Sequence, residues 1–174
     1  MARFWAKFLE KQMAGKNEGF AAFRQAKDIY FAFTKAHGEA YGIGKGDESL
    51  MRAYELYQKS AGIAQEEERY RDVATTNTEL GKISELLGDY RKSVEHRRKA
   101  IELFESLPQL NKSDLEVLRD SYMFLALSLY RCDEFKESKD IAEKGLEKYR
   151  AARDSYGIRA LTDLVEKIET EQGL

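Results

Sequence analysis

Few residues in this chain could do chemistry, and their spacing is the first test of each. The stretch Gly42-Ile43-Gly44-Lys45-Gly46-Asp47 could cradle a phosphate through its glycine amides and its lysine. A phosphate-binding loop, however, needs a glycine five positions before the glycine that precedes its lysine, and Ser or Thr after the lysine to hold magnesium. Those places hold Glu39 and Gly46, so the stretch reads as a loose inter-helix turn. His37 and His96 stand far apart, with no His, Cys or carboxylate at metal-ligand spacing. Cys132 falls in a turn, where no base is placed to activate it. An active site needs convergent groups. The reading is therefore of a protein that is not an enzyme and takes no metal or cofactor.

The charged segments point the same way. Glu66-Glu67-Glu68 is expected to open a helix, where negative charge meets the positive end of the dipole. Arg91, Lys92, Arg97, Arg98 and Lys99 form a local basic cluster that could meet acidic lipid or protein, and His96 is expected on the same solvated helix face. The formal net charge of −2 argues against a nucleic-acid binder, which needs a surplus of Lys and Arg. No apolar run approaches the ~20 residues that would span a bilayer. The lone Cys132 cannot form an internal disulfide, so a reducing, cytoplasmic location is expected. Met1–Met13 is interrupted by Arg3, Lys7, Glu10 and Lys11 and does not read as a secretory signal. Its alternative, a mitochondrial presequence, meets Glu10 and a lack of serines.

Helices must position whatever this protein uses. Proline occurs once, at Pro108, and hydrophobic and charged residues make up 43% and 34%, a globular balance rich in helix formers. The pattern predicts helices over Ala2–Ala14, Glu18–Gly42 (either continuous or broken near Gly38), Asp47–Ala64, Glu66–Leu87, Asp89–Leu107, Asp114–Arg131, Asp133–Arg150 and Ser155–Glu171. Ser113 with Glu116 fits a capping box, and Gly88 fits a left-handed helix end.

Repeats emerge from the same register. In Glu79–Leu103, Leu80-Gly81 precedes Gly88-Asp89-Tyr90, with Ser93 and Ala100 as small residues on the second helix. Small residues let two antiparallel helices approach, and an aromatic fills the gap near their turn. Tyr122, Leu125, Ala126, Phe135, Ser138, Ala142 and Gly145 repeat the pattern downstream, and Gly38, Tyr41, Gly46, Leu50, Ala53, Tyr57 and Ser60 give a poorer copy upstream. Phe135 falls about 45 positions after Tyr90, beyond the ~34 of the common repeat. The chain thus resembles the tetratricopeptide repeat superfamily, in a longer-repeat form similar to Pins-type adaptors, rapsyn and tonsoku.

The resemblance implies an all-α, right-handed superhelix of about three helical hairpins in one domain. Its expected parts are an N-terminal aromatic helix (1–17), a degenerate repeat (18–64), the best repeat (66–107), a third repeat (113–150) and a capping helix (155–171). It also implies a groove lined by first helices that holds a protein or peptide. Carried onto this sequence, the groove positions include Thr75, Thr78, Glu79, Lys82 and Glu85, then Asp120, Met123, Phe124, Leu127, Tyr130 and Arg131, with Lys35, Ala36 and Glu39 upstream. Chaperone-binding members clamp a terminal carboxylate with Lys, Arg and Asn. Glu39, Glu79, Asp120 and Phe124 replace most of that clamp, and three acids would repel a carboxylate.

The run Tyr122–Tyr130 is apolar nearly all round and must be covered on both sides, by the final helix or by a partner. Phe4, Trp5, Phe8, Leu9 and Met13 form a second apolar stripe, to be covered by the core, a second copy of the chain or a membrane surface. The function expected is an adaptor holding a peptide or helix through Met123, Phe124, Leu127 and Tyr130, with Lys82 and Arg131 selecting acidic residues. Its alternatives are a dedicated chaperone for a secreted or assembly-prone client and a structural subunit of a larger complex.

Overall fold

A computed structural model describes the backbone of residues 2–40 and 42–172, with side chains from Met13 onward. Seven α-helices and no strand occur among the described residues: α1 (Ala2–His37), α2 (Glu48–Glu66), α3 (Tyr70–Leu87), α4 (Tyr90–Ser106), α5 (Lys112–Arg131), α6 (Phe135–Ala152) and α7 (Ser155–Gln172). Each helix packs on the next in the chain, and α5 also touches α3 and α7 directly. That packing is consistent with a helical repeat.

The N-terminal stretch is one helix of 36 residues, where two were expected with a break before Glu18. Two glycines near that expected break admit side chains of the neighbouring helix end. A Cβ on Gly19 would stand 3.2 Å from both Ile63 and Arg69, and one on Gly15 would meet Glu67. The side chains of Phe4, Trp5 and Phe8 lie outside the described residues, as does Tyr41.

Two end signals differ from expectation. The run Glu66-Glu67-Glu68 closes α2 and does not open α3: Glu67 is the C-cap and Glu68 takes a φ of 56°. Arg69 then turns the chain, bonding Glu67 at 2.7 Å and also Asp72. Negative charge at the negative end of a helix dipole is unfavourable, and Arg69 offsets it. The capping box is Asn111 with Asp114, one half-turn ahead of the expected Ser113 and Glu116.

Three apolar clusters fill the interfaces. The first joins Ala26, Tyr30 and Phe33 of α1 to Ala53 and Tyr57 of α2 and Ile83 of α3. In the second, Val94 and Phe104 of α4 meet Leu118, Tyr122 and Leu125 of α5. The third places Leu161, Leu164 and Ile168 of α7 on Met123, Ala126, Leu146 and Tyr149. The final helix therefore supplies the cover that the apolar run of α5 required.

The glycine-rich turn has a structural task. Gly42 and Gly44 donate amides to the carbonyls of Glu85 and Leu86, at 2.9 Å each. These are carbonyls of the last turn of α3, where helical partners run out, and that of Glu85 also accepts from the Gly88 amide at 3.1 Å. Far from a loose turn, the stretch caps the neighbouring helix. Gly42 at φ 69° packs against Gly88 at φ 78°, and both hold left-handed conformations that a side chain would strain.

Candidate functional site

The expected groove residues divide into four groups. Thr78 and Met123 belong to the core. The Thr78 hydroxyl bonds the Ala74 carbonyl at 3.2 Å, and Met123 lies in the cluster under α7, with the Tyr149 hydroxyl 3.7 Å from its sulfur. Neither lines an open surface, because the face of α5 that carries Met123 is the one α7 covers. Leu127 and Tyr130 pack against the same cluster. The Tyr130 hydroxyl donates to Glu171 of α7 at 2.7 Å, and Lys167 lies over its ring at 4.8 Å. Arg131 is exposed at the end of α5, beside Cys132. Glu39, Glu79, Lys82, Glu85 and Phe124 do meet at one place.

That place is a cleft of about 240 Å³ between α1, α3 and α5, lined by Tyr30, Glu39, Lys82, Glu85, Leu86 and Phe124. Lys82 donates to Glu79 at 2.8 Å, one turn away on α3. Across the cleft, the Tyr30 hydroxyl donates to Glu39 at 2.9 Å. Burial first, then this bond and the charges of Glu39, Glu79 and Glu85, push the Tyr30 hydroxyl well above its usual range. It therefore remains a donor.

Beneath the cleft lies a buried charge network that the sequence concealed. Arg97 was expected on a solvated basic face, yet it is fully buried. Its Nε and Nη2 donate to Glu85 Oε1 at 3.2 and 3.0 Å, and the Ser93 hydroxyl donates to the same oxygen at 2.8 Å. The guanidinium lies 4.8 Å from the Phe124 ring centroid. Room for it comes from Gly81, where a Cβ would stand 2.8 Å from Arg97 Nε. The small residue of the repeat pattern thus admits an arginine here. Gly81 opposite Arg97, with Glu85 one turn on, was the available signal.

His96 is also half-buried. Asn77 gives its amide to the Val73 carbonyl, so its Oδ1 accepts from His96 Nδ1 at 2.9 Å, and His96 Nε2 accepts from the Tyr54 hydroxyl at 2.8 Å. Burial, followed by the charges of Lys99, Lys92 and Arg97, pulls the imidazole down to about 4. The ring is a neutral tie between α2, α3 and α4.

A second cleft, of about 230 Å³, lies on the same α1–α3 seam and was missed from sequence. Gly19, Phe20 and Phe23 of α1 and Ser60 of α2 face Arg69, Asp72, Thr75 and Thr76 there. Because Phe20 and Phe23 stand opposite the start of α3, and Tyr30 opposite its end, α1 and α3 run parallel. The true counterparts of the α3 groove positions are therefore residues such as Phe23 and Tyr30. Lys35 and Ala36, assigned upstream, are exposed near the end of α1, whereas Glu39, just beyond it, does line the central cleft.

Among the described residues no group of three His, Cys, Asp or Glu could hold a metal ion, and no helix is long and apolar enough to cross a membrane. Cys132 is a half-buried helix cap whose thiol is raised by burial, the wrong direction for a nucleophile. No protein-family model matches the chain, and no curated protein matches it either.

Proposed function

We propose that this protein is a binding adaptor of the tetratricopeptide kind, holding a segment of a protein partner along the seam of α1, α3 and α5. The observation that carries the reading is the pair of clefts set in line on that seam. They are walled by Phe20 and Phe23 at one end and by Tyr30 and Phe124 at the other. An apolar wall with a few placed polar groups is what a peptide side chain needs for affinity and orientation. Here Lys82, Glu39 and Glu79 supply those groups, all at half-buried or exposed positions.

Rigid support favours the same reading. The Glu85–Arg97 pair under Phe124 and the cover of α7 over α5 hold the walls in place without a ligand. A preformed surface loses less freedom on binding, and that raises affinity without new contacts. In a right-handed superhelix of such repeats this seam would be the inner groove. The mechanism is reversible binding with no covalent step.

The test is affinity capture from cell lysate with three forms of the full chain. Wild type is set beside Phe20→Ala/Lys82→Ala/Phe124→Ala and beside a control changed on other exposed positions, Gln58→Ala/Glu95→Ala/Glu147→Ala. A partner lost only from the seam variant, with helicity retained, supports the reading. Equal capture by all three, or loss from the control alone, removes it.

A further inference from the structure

The exposed side of α1 carries a pattern that neither the core nor the central cleft uses. Met13, Phe20 and Phe31 are 61%, 45% and 53% exposed. Spacings of seven and eleven residues are close to two and three helical turns, so the three side chains line up along the helix. Lys16, Arg24, Lys27 and Lys35 share that side and are all exposed. The whole set falls within roughly 100° of arc, and no Asp or Glu of α1 from Met13 onward falls inside it.

These cations are not used within the fold. Among the described residues none of the four belongs to an ion pair. Two lie against aromatic rings instead, with Lys16 Nζ 6.0 Å from the Phe20 centroid and Lys27 Nζ 5.5 Å from that of Phe31. In a chain of net charge −2, four unpaired cations on one strip are a local excess. Phe20 also opens into the 230 Å³ cleft, under the Arg69 guanidinium at 5.3 Å.

We propose that this face of α1 docks an acidic amphipathic helix from a partner protein, an assignment that rests on the seam reading above. The partner's apolar side chains meet Phe20, at the mouth of the cleft, and Phe31, about 16 Å further along the helix. Its carboxylates meet Lys16, Arg24, Lys27 and Lys35. A polypeptide fits better than a bilayer for two reasons. A flat surface cannot follow Phe20 into the space between α1 and α3. Moreover, the cations stand between the aromatics, whereas a helix lying in a membrane segregates its polar residues to the opposite face. A nucleic acid draws its affinity from a broad positive field, and Asp28 borders this strip on α1 while Asp72 lines the cleft that Phe20 opens into.

The experiment selects peptides of about 20 residues, long enough for an i to i+11 pair, from a random displayed library on the intact chain. Winners are measured by fluorescence anisotropy against wild type, Lys16→Glu/Lys27→Glu and Lys82→Ala/Phe124→Ala. The proposal expects winners of net negative charge with apolar residues eleven apart. Their binding should weaken roughly tenfold or more in the charge-reversed variant and again at high salt. Winners with no acidic bias, or binding indifferent to Lys16→Glu/Lys27→Glu, overturn it. Tighter binding to phosphatidylserine vesicles or to a 20-nucleotide single strand overturns it too. Neutral winners lost only in Lys82→Ala/Phe124→Ala leave the seam reading standing and remove this one. If nothing is selected, both fall.

Discussion

Arg97 of α4 reaches under Phe124 of α5, its guanidinium 4.8 Å from the ring centroid, while bonding Glu85 of α3 on its edge. Three helices thus share one buried cation beneath the central cleft. Removing one partner of a buried pair leaves the other charge uncompensated, which costs far more than the pair contributes.

Glu85→Ala is accordingly expected to destabilise the fold by about 3–5 kcal/mol. Glu85→Gln keeps an acceptor and should cost less, about 1–2 kcal/mol. Urea titration followed by circular dichroism gives both values. A cost for Glu85→Ala below that of Glu85→Gln would show that the pair does not hold these helices.

The α7 cover depends on the absence of a side chain at one place. A Cβ on Gly157 would run into the Tyr149 ring, whose hydroxyl is tied to Asp120 at 2.8 Å. Gly157→Leu should therefore lift α7 and cost about 1–3 kcal/mol by overpacking. Amide exchange would rise across residues 155–172 and stay unchanged in α3 and α4. Unchanged protection of α7 would contradict the packing described.

His96 makes stability depend on pH. Its folded value of about 4 lies below the ordinary 6.5, so the neutral form is the one the fold favours. The stabilisation is complete above the ordinary value and is lost as pH falls from there toward 4. Between pH 7.5 and 5, mostly above the carboxylate range, the loss should be about 1–2 kcal/mol after allowance for partial solvent screening. His96→Gln should flatten that slope in paired denaturation curves. An equal slope in the variant would place the pH dependence elsewhere.

Much of the fold is legible in the sequence, and the reasons for the exceptions are physical. The α3–α4 hairpin could be read because Gly88 and the small residues Gly81, Ser93 and Ala100 act through local geometry. The expected break before Glu18 is absent because α1 packs continuously there, with Gly15 and Gly19 against Glu67, Ile63 and Arg69. Glu66-Glu67-Glu68 misled because the charge that favours a helix start can be tolerated at an end when Arg69 answers it.

The site was legible in part. Glu79, Lys82, Glu85 and Phe124 do meet, since they follow the register of α3 and α5. Met123 and Tyr130 go to α7 instead, because an apolar run does not say which of its faces the last helix will cover. Arg97 and His96 looked solvated because burial of a charge depends on partners distant in the chain, here Glu85 and Asn77. The α1 wall went unread because the upstream groove positions were set at Lys35, Ala36 and Glu39, past the Phe20, Phe23 and Tyr30 that face α3.

The most direct test of the seam is site-specific photo-crosslinking in cells. A benzophenone side chain is placed at Phe20 or Lys82 on the seam, and at Gln58 or Glu147 elsewhere on the surface. The account predicts the same covalent partner band from positions 20 and 82 and none from 58 and 147. A partner captured from 58 or 147 alone would contradict it.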